Sequence, residues 1–409
     1  MVNKDGIREL VYVVRVSDIK PIEGKDRVEC AMVGGWSVMV HKGDFHPGSL
    51  GIYFEIDSRL PELSEYEFLA SKNYKIKIQK YKIPSGYFFS EGLLMSPADL
   101  GWLVCTNKDG IECLYNGETN SYYAEGDFLT STLRVTYADP ADNARKGGDT
   151  VDKYKKMAQR MGKKFSKQPY RWLMQRTWGK KLLYFFFGRN NVDKKHAWPS
   201  HIAAKTDVER IQNMISILQD KEPFVATEKV DGSSCSVMCE RLSFGRIKQY
   251  VCSRNVVFED PSQACFYDTN IYYEAYQKYN LGEKIVQILN DYNLPNVAIQ
   301  MEVYGNDVQK RDYSTKEHKI AVFHIVSNGV KFPMEKTVEI CEKYDIPHVP
   351  ILDTNYILPD TLEELQAFVE GEGSRIDGLP KEGIVFYDKK TGQQYFKFVS
   401  PEFLIKYHG

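Results

Sequence analysis

Short apolar runs make up the chain from Glu9 to about residue 99, and Gly, Pro and Asp separate them. The runs are ELVYVVRV from Glu9, VECAMVGGWSVMV from Val28, SLGIYFEI from Ser49 and YKIKIQKY from Tyr74. Alternating or short apolar segments bounded by turn residues are typical of strands in small antiparallel barrels and sandwiches. We therefore predict an all-β unit over residues 1–100.

From Trp198 onward, helical and strand patterns alternate, as in a mixed α/β domain. The predicted strands cover residues 224–230, 236–240, 250–253, 297–303, 320–326, 384–387 and 394–399. A helical start is predicted over residues 207–218, and the capping-box spacing of Thr361 and Glu364 begins a helix through Phe368. The expected fold class is α+β, with a β-barrel followed by a mixed α/β domain over residues 198–409.

Residues 101–197 separate these two predicted domains and contain a strongly basic stretch. The whole chain has a formal net charge of -1, so attraction for a polyanion must come from local segregation of charge. Residues 145–195 carry sixteen Lys or Arg against three acids, with large aromatic residues such as Trp172 and Trp178 among them. This extension is interpreted either as a nucleic-acid arm with stacking groups or as a solvated helix or linker.

Eight cysteines are scattered along the chain without paired CxxC spacing, which favours buried reduced thiols over disulfides or a zinc site. The first residues, MVNKDGIREL, lack the layout of a signal peptide. The longest apolar patch, LLYFFF over residues 182–187, is too short to span a bilayer. We therefore expect an intracellular protein, cytoplasmic or nuclear, without a membrane partner and monomeric.

The sharpest chemical feature is the segment Thr-Glu-Lys-Val-Asp-Gly over residues 227–232, which places Lys229 at the end of a β-rich run. A lysine amine acts as a nucleophile only when it is partly neutral, which requires a lowered pKa. Alone, this segment fits a surface turn with a salt-bridged lysine equally well. The string of Lys, Asp and Gly is short enough to arise by chance.

Further segments follow in a fixed order, each at a predicted strand boundary where side chains can converge on one pocket. They are Cys-Ser-Arg-Asn over residues 252–255, Gln-Met-Glu-Val-Tyr-Gly over 300–305, Val-Phe-His-Ile over 322–325, Lys-Glu-Gly-Ile-Val over 381–385 and Phe-Lys-Phe-Val-Ser over 396–400. Any one of them has a purely structural explanation. Together and in this order, they indicate one site.

With these motifs, residues 200–409 resemble the covalent nucleotidyltransferase superfamily of polynucleotide ligases and mRNA capping enzymes. The resemblance implies that Lys229 becomes adenylylated by ATP and that Asp231, Glu302 and Glu382 hold Mg²⁺ or Mn²⁺, largely through water. It implies that Arg254 contacts ribose or phosphates, Phe323 stacks on the purine and Lys397 neutralises the α-phosphate. The other implied ATP-binding residues are Glu228, through its backbone, Val230, Gly232 and Asn255.

A second resemblance concerns the kind of nucleic acid, RNA or DNA, and the reaction. Several segments resemble the Deinococcus type of RNA ligase, which has an N-terminal oligonucleotide-binding (OB) domain. They are Pro-Ile-Glu-Gly-Lys-Asp over residues 21–26, Gly35-Trp36, Lys42-Gly43, residues 55–61, residues 90–93 and, after the upstream unit, the run over 198–212. This resemblance implies joining of a 3′-OH to a 5′-phosphate RNA end at nicks in duplexes. A DNA ligase of unusual layout, a capping guanylyltransferase and a non-catalytic nucleic-acid-binding protein stay open as alternatives.

Two positions depart from the family pattern. Met301 stands where these ligases often have Gly before the acidic residue, and Tyr395 leaves Lys397 without a lysine partner two positions away. Lys406 is a candidate substitute for that partner. The expectation for the nucleophile is that Lys397, Arg254 and a metal ion together lower the pKa of Lys229.

Overall fold

The structure is a computed structural model of the chain. It describes residues 1, 8–138, 172–173, 176, 183, 198–263, 265–267, 269–392 and 395–408. Two compact units are distinguished, one of Met1–Tyr137 with Trp198–Gly409 and one of Ala138–Ala197. In the second unit, the Arg176 guanidinium lies 4.0 Å from the centroid of the Trp172 ring. The rest of the predicted basic stretch over residues 145–195 lies outside the described residues.

The chain up to Tyr137 is built of strands, as the pattern predicts, together with two 3-10 helices, Ser64–Lys72 and Pro97–Leu100. The strands are β1 (Val11–Arg15), β2 (Asp18–Pro21), β3 (Val28–Val33), β4 (Trp36–His41), β5 (Leu50–Phe54), β6 (Ser58–Arg59), β7 (Gln79–Ile83), β8 (Gly86–Ser90), β9 (Leu93–Met95), β10 (Leu103–Thr106), β11 (Glu112–Asn116), β12 (Ser121–Tyr123) and β13 (Thr136–Tyr137). The sheets run in the orders β1-β5-β9, β2-β3-β4, β7-β8, β13-β6 and β10-β11-β12.

Alternation along β1 and β5 explains why both faces of their sheet are apolar. Val11 and Phe54 enter one core, whereas Tyr12 and Tyr53, one position away, enter a second core on the other face. Leu114 of β11 is buried in the first of these cores, so chain beyond residue 100 adds to it.

Two larger sheets form the remainder of this unit. Their strands are β14 (Glu209–Arg210), β15 (Phe224–Lys229), β16 (Ser233–Arg241), β17 (Ile247–Ser253), β18 (Val257–Phe258), β19 (Asn296–Tyr304), β20 (Lys319–Ser327), β21 (Val330–Lys331), β22 (Ile351–Tyr356), β23 (Gly383–Asp388) and β24 (Tyr395–Val399). A five-stranded sheet has the order β14-β24-β23-β15-β22 and a six-stranded sheet the order β18-β17-β16-β19-β20-β21.

Helices pack on these sheets through their apolar faces. They are α1 (Ile271–Lys278), α2 (Leu281–Asp291), α3 (Met334–Lys343), α4 (Leu362–Gly371) and the short α5 (Pro401–Phe403), which continues into a wider turn over Leu404–His408. Residues of α1, α2 and α3 share a core with the six-stranded sheet, and residues of α4 share one with the five-stranded sheet. The predicted capping box is confirmed. Thr361 Oγ1 accepts a hydrogen bond from the N–H of Glu364, and the carboxylate of Glu364 accepts one from the N–H of Thr361.

The helix predicted over residues 207–218 is wrong at its start. Glu209 and Arg210 instead form β14, which pairs in parallel with β24, and a 3-10 segment over Ile211–Gln219 follows with a kink at Met214. The apolar spacing was helical, but the pairing of β14 with a strand nearly two hundred residues later overrides local preference. In the part of the chain that the structure describes, no helix combines the length and the apolar character that crossing a bilayer requires.

Candidate active site

One face of the five-stranded sheet carries the predicted nucleophile and its partner lysine. Ala226, Phe386 and Phe396 point into the apolar core of this sheet. Because successive side chains in a strand alternate between faces, Lys229 and Lys397 lie on the face opposite to this core. Thr227 and Lys397 both pair with Val385, and Lys229 pairs with Gly383. Strand register therefore brings together two lysines that are far apart in sequence.

Two glycines allow the strands at this site to approach closely. A Cβ on Gly232 would meet the carbonyl oxygen of Val303 at 2.4 Å, and a Cβ on Gly383 would meet that of Phe398 at 2.1 Å. Backbone atoms in a sheet cannot retreat without breaking the ladder. Asp231 directly precedes Gly232, and Glu382 directly precedes Gly383. The close approach at the two glycines thus brings both acids into the same region as Lys229.

Lys229 lies among carboxylates. Its Nζ is 2.6 Å from Oε2 of Glu382. Burial disfavours the charged amine, but Glu382, Glu302 and Asp231 outweigh burial and raise the pKa of Lys229. The expected lowering of this pKa by Lys397, Arg254 and a metal ion together stays a prediction, because the protein side chains by themselves raise it.

The three acids form an electrostatic environment that suits a divalent cation. Burial, followed by repulsion from Glu382 and Asp231, raises the pKa of Glu302 to about 8. Oδ2 of Asp231 is buried without a hydrogen-bond partner. Among the described residues, no group of three or more His, Cys, Asp or Glu side chains is close enough to hold a metal directly. Carboxylate oxygens are the kind of ligand that Mg²⁺ and Mn²⁺ prefer, and the implied binding of such an ion by these three acids through water stays a prediction.

Lys397 belongs to a basic cluster beside these acids. Burial, and then the charges of Arg210, Lys229 and Arg8, lower the pKa of Lys397 well below its ordinary range. Arg210 pairs with Lys397 in the parallel ladder, and its Nε and Nη1 are buried without hydrogen-bond partners. Nη2 of Arg210 lies 3.9 Å from Oδ2 of Asp57, so the cluster also faces an acid.

Arg254 and Asn255 follow β17 at the edge of this region. Arg254 pairs with Asp207, and its guanidinium lies 5.9 Å from the centroid of the Tyr137 ring. Its charge also reaches Glu302. Nζ of Lys205 donates to Oδ1 of Asn255 at 3.1 Å. Arg254 is therefore within electrostatic range of the acids, whereas Asn255 is engaged with Lys205.

Phe323 owes its direction to a β-bulge. In the ladder between β19 and β20, Gln300 pairs with His324 and the next residue, Met301, pairs with Val322, which leaves Phe323 unopposed. A bulge of this kind redirects the extra side chain and is frequent beside active sites. The half-buried Phe323 packs on the apolar group that contains Val230.

The side chain of Glu228 points to the face opposite to Lys229. Its carboxylate accepts hydrogen bonds from the hydroxyl of Ser374 and from the N–H of Arg375, the second at 2.8 Å. Its own N–H donates to the carbonyl of Pro350 at 2.9 Å. Glu228 therefore holds the segment at Ser374 in place, and an adenine contact through its backbone stays a prediction.

Met301 is fully buried in the core of the six-stranded sheet, on the face opposite to its neighbour Glu302. The departure from Gly at this position therefore leaves the orientation of the acid intact. The ammonium of Lys406 lies 4.9 Å from the centroid of the Tyr407 ring. Its suggested role as a partner of Lys397 stays a prediction.

One residue of this region had no signal in the sequence. Nε2 of His408 lies 3.7 Å from Oδ1 of Asp231, at the distance of an ion pair if the ring is protonated and too far for a hydrogen bond. Burial lowers the pKa of His408, but Asp231 and Glu382 outweigh it and raise that pKa. Only the turn over Leu404–His408 brings this ring back to the site, and no motif spacing marks it.

The fold places a mixed α/β domain after a small barrel, and two family models match these two parts of the chain. Residues 10–83 match the model of an OB-fold domain, which confirms the predicted barrel type. Residues 222–407 match the RNA ligase model. The two matched models therefore follow one another along the chain, the OB-fold domain first and the RNA ligase second.

Solved structures of similar fold come from Naegleria gruberi RNA ligase. A point mutant of that ligase with ATP and Mn matches with a TM-score of 0.69 and 22% identity over 99% of this chain and 99% of that chain. The same ligase with PPi matches with a TM-score of 0.68 and 22% identity over 98% and 99% of the two chains. At this identity the likeness establishes the fold. The comparison with curated protein sequences gives no match.

Proposed function

We propose that the protein is an ATP-dependent RNA ligase that joins 3′-OH and 5′-phosphate ends at nicks in duplexes. The observation that carries this proposal is the position of Lys229, at a strand end, against Glu382 on one side and with Lys397 of the adjacent ladder on the same sheet face. A partly exposed amine that lies between acids and a basic cluster suits attack on a phosphoryl group.

The proposed reaction has three steps, each of which forms one bond to phosphorus and breaks another. First, Nζ of Lys229 attacks the α-phosphorus of ATP, the bond to pyrophosphate breaks, and lysyl-AMP forms. Second, an oxygen of the RNA 5′-phosphate attacks that phosphorus, the phosphorus–nitrogen bond breaks, and an adenylylated 5′ end forms. Third, the 3′-OH attacks the 5′-phosphorus, AMP leaves, and the phosphodiester is complete.

The charges of the site explain how Lys229 becomes reactive. Asp231, Glu302 and Glu382 would hold Mg²⁺ or Mn²⁺, which compensates their charge and stabilises charge on the phosphates. Once the charge of those acids is compensated, they no longer stabilise the protonated form of the Lys229 amine, and the desolvation of this partly buried group favours loss of its proton. Lys397 then lies opposite the transferring phosphoryl group and stabilises its negative charge.

The nucleotide pocket follows from the bulge at Phe323. We propose that the Phe323 ring stacks on adenine beside Val230, and that Gly232 belongs to the same ATP-binding set because it lets its strand approach Val303 closely. Arg254 is placed to contact ribose or phosphates once it exchanges Asp207 for the ligand. Asn255 and the backbone of Glu228 complete the proposed ATP-binding set. The similar Naegleria gruberi ligase is solved with ATP and Mn, which supports this choice of nucleotide and metal.

The test is incubation of the pure protein with labelled ATP or GTP and Mg²⁺ or Mn²⁺, followed by a denaturing gel and then by nicked duplexes with RNA or DNA at the 3′-OH side. An ATP-specific adduct that discharges to seal RNA-ended nicks is expected. Lys229→Ala is expected to abolish the adduct, whereas Lys221→Ala, at an exposed ion pair with Asp360, keeps it. A GTP adduct would indicate capping, sealing of DNA-ended nicks a DNA ligase, and no adduct a binding protein.

We also propose that RNA ends are the partner and that the protein acts as an intracellular monomer. The basic stretch over residues 145–195 is proposed to contact phosphates of the nucleic acid. Binding of a nicked duplex should then weaken steeply with salt. A flat salt response would assign the basic stretch to structure alone, and light scattering would measure the mass in solution.

A further inference from the structure

Asn213 uses the full hydrogen-bonding capacity of its amide to join the OB-fold domain to the RNA ligase domain. Its Oδ1 accepts from Trp36 Nε1 at 2.6 Å and from the Tyr12 hydroxyl at 2.8 Å. Its Nδ2 donates to Glu209 Oε1 at 2.7 Å and to Glu55 Oε1 at 3.0 Å. A side-chain amide has two donors and two acceptor lone pairs, so no capacity is left over.

The chemistry of the four partners fixes which way this amide points. An indole N–H can only donate, and ionised carboxylates can only accept. Tyr12, Trp36 and Glu55 are each almost fully buried, so water cannot replace Asn213 for them without a rearrangement. Aspartate, although nearly the same size, would place an acceptor against both carboxylates. Position 213 therefore requires a side chain that both donates and accepts hydrogen bonds.

A backbone contact next to Asn213 makes the junction stiff. The N–H of Gly35 donates to the carbonyl of Gln212 at 2.8 Å. A Cβ on Gly35 would meet Cα of Gln212 at 2.9 Å, so the two main chains touch with no side chain between them. Side-chain rotation cannot absorb a shift at such a contact, and a displacement of one domain must move the backbone of the other.

That backbone leads directly to Lys397. Glu209, the acceptor of Asn213, pairs with Phe396 in the parallel ladder, and Arg210 pairs with Lys397 itself. A shift of the segment from Glu209 to Asn213 would therefore reposition the strand that carries Lys397. A displacement of about 1 Å at a catalytic group can cost about a hundredfold in rate.

We propose that Asn213 is a positioning residue that locks the OB-fold domain onto the five-stranded sheet and thereby fixes Lys397. Its catalytic consequence rests on the proposed function, whereas its structural consequence does not. The OB-fold domain then takes part in lysyl-AMP formation itself, through the strand Glu209–Arg210, in addition to any contact with nucleic acid.

The test compares Asn213→Asp with Asn290→Asp, a matched substitution at an exposed asparagine whose Oδ1 accepts from Arg241. The full-length parent should unfold in one calorimetric transition, and Asn213→Asp in two or at a clearly lower temperature. Its rate constant for lysyl-AMP formation at saturating ATP should fall about tenfold or more while the KM for ATP changes less than about threefold. Adding Glu209→Gln, which returns one donor to the pair, should recover part of both losses.

An Asn213→Asp protein with the unfolding and rate of the parent would overturn the proposal. So would a fall in stability with no recovery from Glu209→Gln, because that result means a general packing defect. If Asn213→Asp does not fold, Trp36→Phe removes one donor and keeps an aromatic ring; an unchanged rate and unfolding in that variant also refute the lock. If the parent forms no lysyl-AMP, the proposed function fails, and the calorimetric comparison alone decides whether Asn213 couples the domains.

Discussion

Replacing Glu55 by Gln should cost the folded protein about 3 kcal/mol at neutral pH. The Glu55 side chain is 1% exposed, and Arg8 donates to its Oε2 from Nε at 3.0 Å and from Nη2 at 2.9 Å. Burial raises the pKa of Glu55, but Arg8 and the hydrogen bond from Asn213 are among the contacts that outweigh it and lower that pKa from 4.5 to about 2. A difference of about 2.5 units at about 1.4 kcal/mol per unit corresponds to roughly 3 kcal/mol.

The pH dependence has a definite sign. Because the folded-state pKa of Glu55 is below the unfolded value, its contribution to stability is complete above pH 4.5 and is lost as the pH falls from 4.5 toward 2. Gln imitates the protonated acid at every pH. The difference in unfolding free energy between the parent and Glu55→Gln should therefore be largest near pH 7 and shrink below pH 4.5.

Urea unfolding followed by circular dichroism at several pH values measures this difference. Glu112→Gln is the matched control, since Glu112 also pairs with an arginine, Arg15, at 2.8 Å but is 48% exposed. Exposed pairs contribute at most about 1 kcal/mol. Equal losses in the two variants, or a loss for Glu55→Gln that does not depend on pH, would refute the reasoning that burial makes this ion pair matter.

Three further predictions concern the site. Gly383→Ala should destabilise the fold by about 3 kcal/mol, because its Cβ would lie 2.1 Å from the carbonyl of Phe398, and thermal unfolding should show no such loss for Gly371→Ala, which meets no atom within 4 Å. Lys397→Met should raise the unfolding temperature, because the surroundings disfavour the charged amine, yet slow lysyl-AMP formation by about a hundredfold in a single-turnover assay; a faster or equal rate would contradict its role. Phe323→Ala should raise the KM for ATP about tenfold, whereas the control Phe244→Ser, at a ring that is 99% exposed, should leave this KM unchanged. An unchanged KM in Phe323→Ala would remove Phe323 from the proposed pocket.

Local pattern was sufficient to predict the strands that carry the site. Lys229, Glu302 and Lys397 all lie in strands at or near the predicted positions, because apolar alternation is a property of the residues immediately around them. The start of the helix predicted over residues 207–218 is wrong, since β14 exists only through its pairing with β24.

The apolar pattern could not predict the properties that depend on which side chains meet across the fold. The direction of the Lys229 pKa is set by Glu382 and Glu302, which reach the amine from other strands. His408 and Asn213 belong to no motif, and their partners lie from 4 to 201 positions away along the chain. A single sequence holds no record of such distances, so neither residue could be chosen in advance.

Strand register explains why residues scattered through the chain act at one place. Lys397 faces the site because Lys397 pairs with Val385 while Phe396 and Phe398 on either side are buried in the opposite core. A slip of one residue would send Lys397 into that core and a phenylalanine into the site, at a cost of several buried aromatic contacts. The apolar core thus holds Lys397 in register, and the proposed role of Asn213 adds the same constraint from the OB-fold domain at β14, the neighbouring strand. Stability and the geometry of the reaction therefore rest on the same strand pairings, and variants that loosen the ladder should lose both together.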